Sequence, residues 1–362
     1  MAIALSHGGP TTYRSSEPSR QVLVGTVKGV VCMERDARGE GWHVGFRTLT
    51  DSHIHALLIE PRSGTVFAGV NHGTIFASED GGRTWERRDD GLTHHDVYSL
   101  ASVSKNGRTR LLAGTEPAHL FSSDDLGRSW QEVTALRSVD TSRWAFPAPP
   151  HIAHTKHIAF HPDDPDTVFV GIEQGGLLKS ADAGRTFQVL HGMDDDVHRT
   201  VVNPKNPAEI HVTTGVGMYA SADGGKTWEQ RTDLEHEIGG YPDLLVLHPR
   251  DPSLLFVASA KKGPGTWFRE HYAGSKISRS TDGGRTWERM RQGFPDELLR
   301  TAFEAIALED SGESFSLFVA TATGEVWCSD DGGEHWREAL TGQAPVSKGP
   351  HYIAFEGAHH GR

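Results

Sequence analysis

Seven ionisable side chains stand at one equivalent place in seven short apolar segments, six residues ahead of a Pro turn or its counterpart. They are His55, Tyr98, Lys156, His198, Asp243, Glu304 and His351. Two residues earlier the same segments carry His53, Asp96, His154, Asp196 and Tyr241, and His94, His95 and His157 lie close by. If the segments surround one axis, these groups face a common space. Neutral imidazoles together with a carboxylate, delivered from different strands, hold a divalent transition ion. His55, His198 and His351, with His53 and His154, are the expected metal ligands, and the residue types do not choose among Zn, Fe, Mn, Co and Cu. Such an ion lowers the pKa of bound water, polarises a carbonyl or binds oxygen. Glu304, Asp243, Lys156 and Tyr98 are the candidate acid, base and polar catalytic groups, and Arg199 and Arg300 the candidate anchors for an anionic substrate group. The plain alternative is a solvated channel rim.

The elements that must position these residues come from a repeat. An octapeptide of pattern Ser-x-Asp-x-Gly-x-Thr-Trp reads SEDGGRTW from Ser78, SDDLGRSW from Ser123, SADAGRTF from Ser180, SADGGKTW from Ser221, STDGGRTW from Ser280 and SDDGGEHW from Ser329. A seventh, eroded copy runs from Glu34 to Trp42. The pattern is a hairpin. The Asp accepts backbone hydrogen bonds from the loop it opens, the second Gly supplies a positive φ, and the Trp starts the next strand. So many near-identical copies read as structural acids and not as catalytic ones.

The octapeptide resembles the Asp-box, or BNR repeat, of sialidases, sortilin-like receptors, photosystem assembly factors of the Ycf48 type and many WD40/YVTN/BNR-like propellers. The resemblance covers nearly the whole chain. It implies a β-propeller and says little about chemistry, because propellers host unrelated functions.

Between boxes three further strands repeat: an apolar strand ending at a Pro turn, as in HALLIEP (55–61) and KHIAFHP (156–162); a Val-rich strand, as in TVFAGV (65–70); and a strand leading into the box, as in TIFASED (74–80). Six such units fill residues 51–342, after an N-terminal segment, 1–20. Residues 21–50 supply three strands of a seventh, and PHYIAFEG within 350–358 reads as its missing first strand. The expected fold is all-β: one domain, a seven-bladed β-propeller with Asp-box hairpins, its ring closed by the C-terminal strand joining the N-terminal blade. The ionisable layer would then cap an apolar channel wall that includes Leu57, Ile59, Leu245 and Leu247. His161 and His248, next to Pro turns, read as turn residues on the opposite face.

Long connections enter the mouth side at 135–156 and 261–276. Trp144 and Trp267, with Arg143, Phe146, Phe268 and Tyr272, are expected to cover a substrate there. His72, Glu116, His119 and Glu173 are further mouth candidates.

Composition narrows the partners. With 36 Lys+Arg against 48 Asp+Glu the formal charge is −12, which argues against nucleic acid or an anionic membrane. Two cysteines, no secretory leader and no long apolar run point to a cytoplasmic protein. The reading that follows is a metal-dependent hydrolase, lyase or oxygenase acting on a small molecule, an anionic one among the candidates, at a His-rich mouth. Glycoside hydrolysis of the sialidase type is an alternative, although the Arg-Ile-Pro segment of those enzymes is absent. A non-enzymatic scaffold or assembly factor with a protein partner is another.

Overall fold

The computed structural model describes residues 2–36, 39, 41–105, 107–295 and 299–356. Seven small sheets form the ring of a seven-bladed β-propeller. Blade 1 is an antiparallel meander of Ile54–Ile59, Val66–Val70, Ile75–Ser78 and Glu86–Arg87. Blades 2 to 6 repeat it, with inner strands Asp96–Lys105, Thr155–Phe160, Val197–Val202, Tyr241–Leu247 and Phe303–Asp310. Successive inner strands touch one another in turn around the axis. The second strands are continuous apolar runs such as Val66–Val70, buried along their length because a blade packs on either side.

The Asp-boxes behave as their chemistry dictates. Asp80 Oδ1 accepts from the backbone of Arg83 and Thr84 at 3.0 and 2.9 Å, and the Ser78 hydroxyl accepts from Gly82 N at 2.8 Å. Gly81 and Gly82 have φ of 75° and 90°, and Trp85 Nε1 donates to the Gly82 carbonyl. In two boxes a residue with a side chain, Leu126 or Ala183, takes the first positive φ. Of the eroded seventh copy, Ala37, Arg38 and Glu40 lie outside the described residues.

The ring closes differently from the sequence expectation. Residues 350–355 form a 3-10 helix and not a strand; 357 and 358 lie outside the described residues. The missing inner strand of blade 7 is instead β1, Ala2–Leu5, which pairs in parallel with Gln21–Val24 and touches the inner strands of blades 6 and 1. The chain then turns and descends as β2, Thr12–Arg14, parallel to Leu308–Asp310 of blade 6.

Residues 6–11, between β1 and β2, lie along the inner edges of the blades and plug the channel. The Ser6 hydroxyl accepts from Leu57 N, Gly8 N donates to the His55 carbonyl, and the carbonyls of Gly8 and Thr11 accept from Leu100 N and Leu308 N. Backbone groups that would otherwise face the axis unpaired are thereby satisfied. The approach is close enough to demand glycine: a Cβ on Gly8 would stand 1.9 Å from the Tyr98 carbonyl oxygen.

Gly8→Ala is expected to destabilise the protein by about 1–3 kcal/mol through overpacking. Gly265→Ala, where a Cβ meets nothing within 4 Å, is the matched control and should not destabilise. Urea unfolding of both variants checks this.

Candidate functional site

Every inner strand of blades 1 to 6 carries a register shift at the same height. The shifts lie between Ile54 and Ala56, Val97 and Ser99, Thr155 and His157, Val197 and Arg199, Pro242 and Leu244, and Phe303 and Ala305. The residue skipped in each is His55, Tyr98, Lys156, His198, Asp243 or Glu304. A β-bulge leaves one residue unpaired and re-aims its side chain, and six in register make a ring of ionisable groups. The bulge also shifts the alternation beyond it. Leu57 and Ile59 therefore pack with Ile54 between blades, and Ala56 and Leu58 on the opposite face, so the apolar channel wall expected below the ring is inter-blade core.

His351 is not part of this ring, since it sits on the 3-10 helix at 350–355. The seventh contribution comes from Lys348, which sequence reasoning missed. The segment 346–355 folds over the mouth: Val346 N donates to the Thr321 carbonyl, the Ser347 carbonyl contacts His53 Nε2 at 2.8 Å, and the Lys348 carbonyl accepts from Tyr98 Oη at 2.8 Å. Lys348 Nζ reaches Asp243 at 2.5 Å. Lys156 Nζ lies 2.7 Å from Glu173 and 3.5 Å from Asp243, and His154 Nε2 lies 2.6 Å from Glu173. Glu304 accepts from Lys348 N at 3.2 Å and faces His351 Nδ1 at 3.3 Å.

All of these groups are buried, and the charges balance one another. Burial pushes the Asp243 and Glu173 carboxyls upward, but the ammonium groups of Lys156 and Lys348 outweigh it and hold both well below the usual carboxylate range. For His154 burial is outweighed by Glu173, and its pKa is raised. Asp243 serves two ammonium groups. Against burial it raises Lys348, the nearer, whereas for Lys156, the farther, burial wins and lowers it.

The five candidate metal ligands do not gather. Among the described residues, no three of His53, His55, His154, His198 and His351 bring ligand atoms within 4.8 Å of one another. His55 Nε2 is bonded to Asn71 at 3.0 Å and its ring packs on Tyr98; His198 faces Asp243 and Tyr241; His351 packs edge-on to Trp267. The potential ligand groups that do form are His7, Asp243 and Glu304, and Glu173, Asp196 and His198. His7 was invisible to sequence reasoning because it belongs to the plug, where its Nδ1 meets the Glu304 carbonyl at 2.9 Å.

The candidate substrate residues have other partners. Arg199 is 2% exposed and donates to the carbonyls of His7 and Gly9, fastening the plug; burial lowers its pKa to about 10. Arg300 is exposed and its Nε donates to the His271 carbonyl at 3.0 Å. Trp144 is partly buried against blade 3. Trp267, on the helix α1 (Pro264–Glu270), is 1% exposed and packs edge-to-face with Tyr241 and His351 and at a tilt against Phe355, anchoring the mouth segment. His161 and His248 are turn residues as expected, each ring nitrogen accepting backbone N–H groups.

Lys348→Met removes one partner of a buried pair and is expected to cost about 3–5 kcal/mol in urea unfolding; adding Asp243→Leu should restore most of it. His55 supplies a pH test. Burial first, then His53 and His154, hold its pKa well below 6.5. The unfolded chain takes up the proton near pH 6.5 and the folded chain does not, so stability is lost as pH falls below about 6.5. In His55→Gln the decline in melting temperature between about pH 7 and pH 5 should be shallower than in the parent.

Known proteins share this architecture. The family model for sortilin, neurotensin receptor 3, matches residues 175–295, and that for the photosynthesis system II assembly factor YCF48 matches residues 50–139. Vacuolar protein sorting/targeting protein 10 of Aspergillus flavus is 30% identical over 164 residues, which cover 42% of this chain and 11% of that protein. A GH74 enzyme of Niastella koreensis superposes with a TM-score of 0.63 at 17% identity, over 93% of this chain and 55% of that one. YCF48 from Cyanidioschyzon merolae superposes with a TM-score of 0.57 at 16% identity, over 87% and 96%. The cytoplasmic expectation is corrected by these matches: the sortilin model and the vacuolar sorting relative point to a non-cytoplasmic compartment, over the part of the chain they cover. No helix among the described residues is long and apolar enough to cross a membrane. Repeat, ring and relatives agree that the chain is a BNR-like, Asp-box β-propeller of seven blades.

Proposed function

We propose that this propeller is a non-enzymatic docking module that binds an acidic, apolar-anchored segment of a protein partner on its mouth face. The observation that carries this reading is the fate of the ionisable ring: plugged from below by residues 6–11 and covered from above by 346–355, its charges are spent on one another. Chemistry at the axis needs groups that meet a substrate. Asp243 and Glu304, the acid–base pair a glycoside hydrolase would use, are 4% and 0% exposed. Likeness to the GH74 enzyme supports the hydrolase reading only at the level of fold.

The mouth face offers a surface instead. Among the described residues, the exposed large apolar ones, Leu234, Phe268 and Ile353, are 56%, 43% and 45% exposed. All three lie on mouth-side elements: the loop into blade 5, α1, and the helix at 350–355, which packs on α1. Lys261, Lys262, Arg269 and Arg300 are exposed on or near α1 in a chain of net charge −12. Leu234 lies between the exposed acids Asp233 and Glu235, and Arg269 is paired with Glu270. Lys261, Lys262 and Arg300 nevertheless leave cations beside Phe268 on α1 that fit an acidic segment with an aromatic or aliphatic anchor. The sortilin and YCF48 likenesses support a protein partner as well.

The test is binding of an array of acidic peptides bearing apolar anchors, read by fluorescence anisotropy. Phe268→Glu with Ile353→Glu should weaken binding at least about tenfold while the melting temperature stays unchanged. Failure of every peptide to bind, or polysaccharide hydrolysis abolished by Glu304→Gln in a folded variant, would overturn the proposal.

A further inference from the structure

Beside the ring, at the junction of blades 3 and 4, His198 Nε2 and Asp196 Oδ1 face one another, each without a hydrogen-bond partner among the described residues. His198 Nδ1 lies 3.1 Å from the Pro242 carbonyl. A carbonyl only accepts, so Nδ1 carries a proton, and in the neutral ring Nε2 presents a lone pair. The His198 side chain is fully buried, and its Nε2 meets no hydrogen-bond partner among the described residues. Asp196 Oδ1 stands 3.6 Å from it, also buried and also without a partner. Glu173 completes the group, with one ligand atom from each residue within 4.8 Å of the others.

Lone pairs set together in this way repel, and at 3.6 Å a proton on Nε2 would not make a normal hydrogen bond to Asp196. A cation between them reverses the sign of the interaction. Tetrahedral coordination with bonds of about 2.1 Å places neighbouring ligand atoms about 3.4 Å apart, close to the separation seen. Two carboxylates and an imidazole are a donor set for a transition ion of the Zn or Mn kind. The ligands sit on fixed elements: His198 at its bulge, Asp196 just before the same strand, and Glu173 directly after the second strand of blade 3. Lys156 and His154 hold Glu173 in place, and the Asp196 side chain, 19% exposed, gives a way in from solvent. In the other group, His7, Asp243 and Glu304, Asp243 faces two ammonium groups, Lys348 and Lys156; in this one Glu173 faces a single ammonium, Lys156, with His154, while His198 Nε2 and Asp196 Oδ1 meet neither.

We propose that a single divalent transition ion binds between Glu173, Asp196 and His198 and clamps blade 3 to blade 4. The role is structural and does not depend on the docking reading. Of the ligands expected from the sequence only His198 takes part.

Chelator-treated full-length protein is titrated with ZnCl2 by calorimetry, with melting curves recorded in parallel. One equivalent should bind with a Kd of about 10 μM or tighter and raise the melting temperature. Asp196→Asn and His198→Gln should each weaken that equivalent by about 100-fold or more. Asp196→Asn keeps the shape of a partly exposed residue, so its fold in chelator should match the parent. His119→Gln disrupts a separate imidazole pair with His94 near Glu132 and should leave the titration unchanged. Binding no tighter than about 1 mM, binding that survives Asp196→Asn, or binding lost in His119→Gln would each overturn the site.

Discussion

Inner strands that converge on an axis bring unpaired backbone edges with them, and the rest of this molecule is arranged around that constraint. An unpaired edge buried near the centre leaves N–H and C=O groups without partners. Here residues 2–15 supply them, rising as β1, turning at His7–Pro10 and descending as β2. Gly8 and Gly9 permit the contact, and Arg199 fastens the turn from blade 4. The ring of bulged residues lies over a filled channel.

Filling the channel decides what the ionisable ring can do. Without bulk water, charges at the axis must satisfy one another. Two lysines and His154 meet Glu173 and Asp243, and Glu304 is met by the Lys348 amide and by His351. A pattern that looks catalytic in one dimension is, in three, a set of buried and mutually paired groups. At the rim, Phe268 and Ile353 are exposed on α1 and the helix packed on it.

Much of this was legible. The Asp-boxes could be read because each is a local device: Asp80, Ser78 and Gly82 complete their hydrogen bonds within a few residues. Alignment on the Pro turns also put His55, Tyr98, Lys156, His198, Asp243 and Glu304 at one height, even in blades 2 and 6 where the turn is missing. The bulge itself has no local signature, so the alternation beyond it was misassigned. The closing strand could not be decided locally either. AIAL and PHYIAF are both apolar, and which becomes a strand depends on which reaches the free edge of Gln21–Thr26. With β1 there, residues 350–355 pack Ala354 and Phe355 into the cluster around Trp267. Lys348 was missed because a lone lysine in a connecting segment carries no signal until its counter-ions are known.

Glu304 is approached from two segments far apart in sequence: His7 meets its carbonyl, and the Lys348 amide meets its carboxylate. During vectorial synthesis residues 2–15 are made long before blade 6, so β1 and the turn after it must wait for that blade to exist. The lysine that neutralises Asp243 emerges later still. A nascent chain stopped short of residue 348 would hold an acidic centre lacking one of its two ammonium counter-ions. Completion of the disc is thus coupled to synthesis of the segment 346–355.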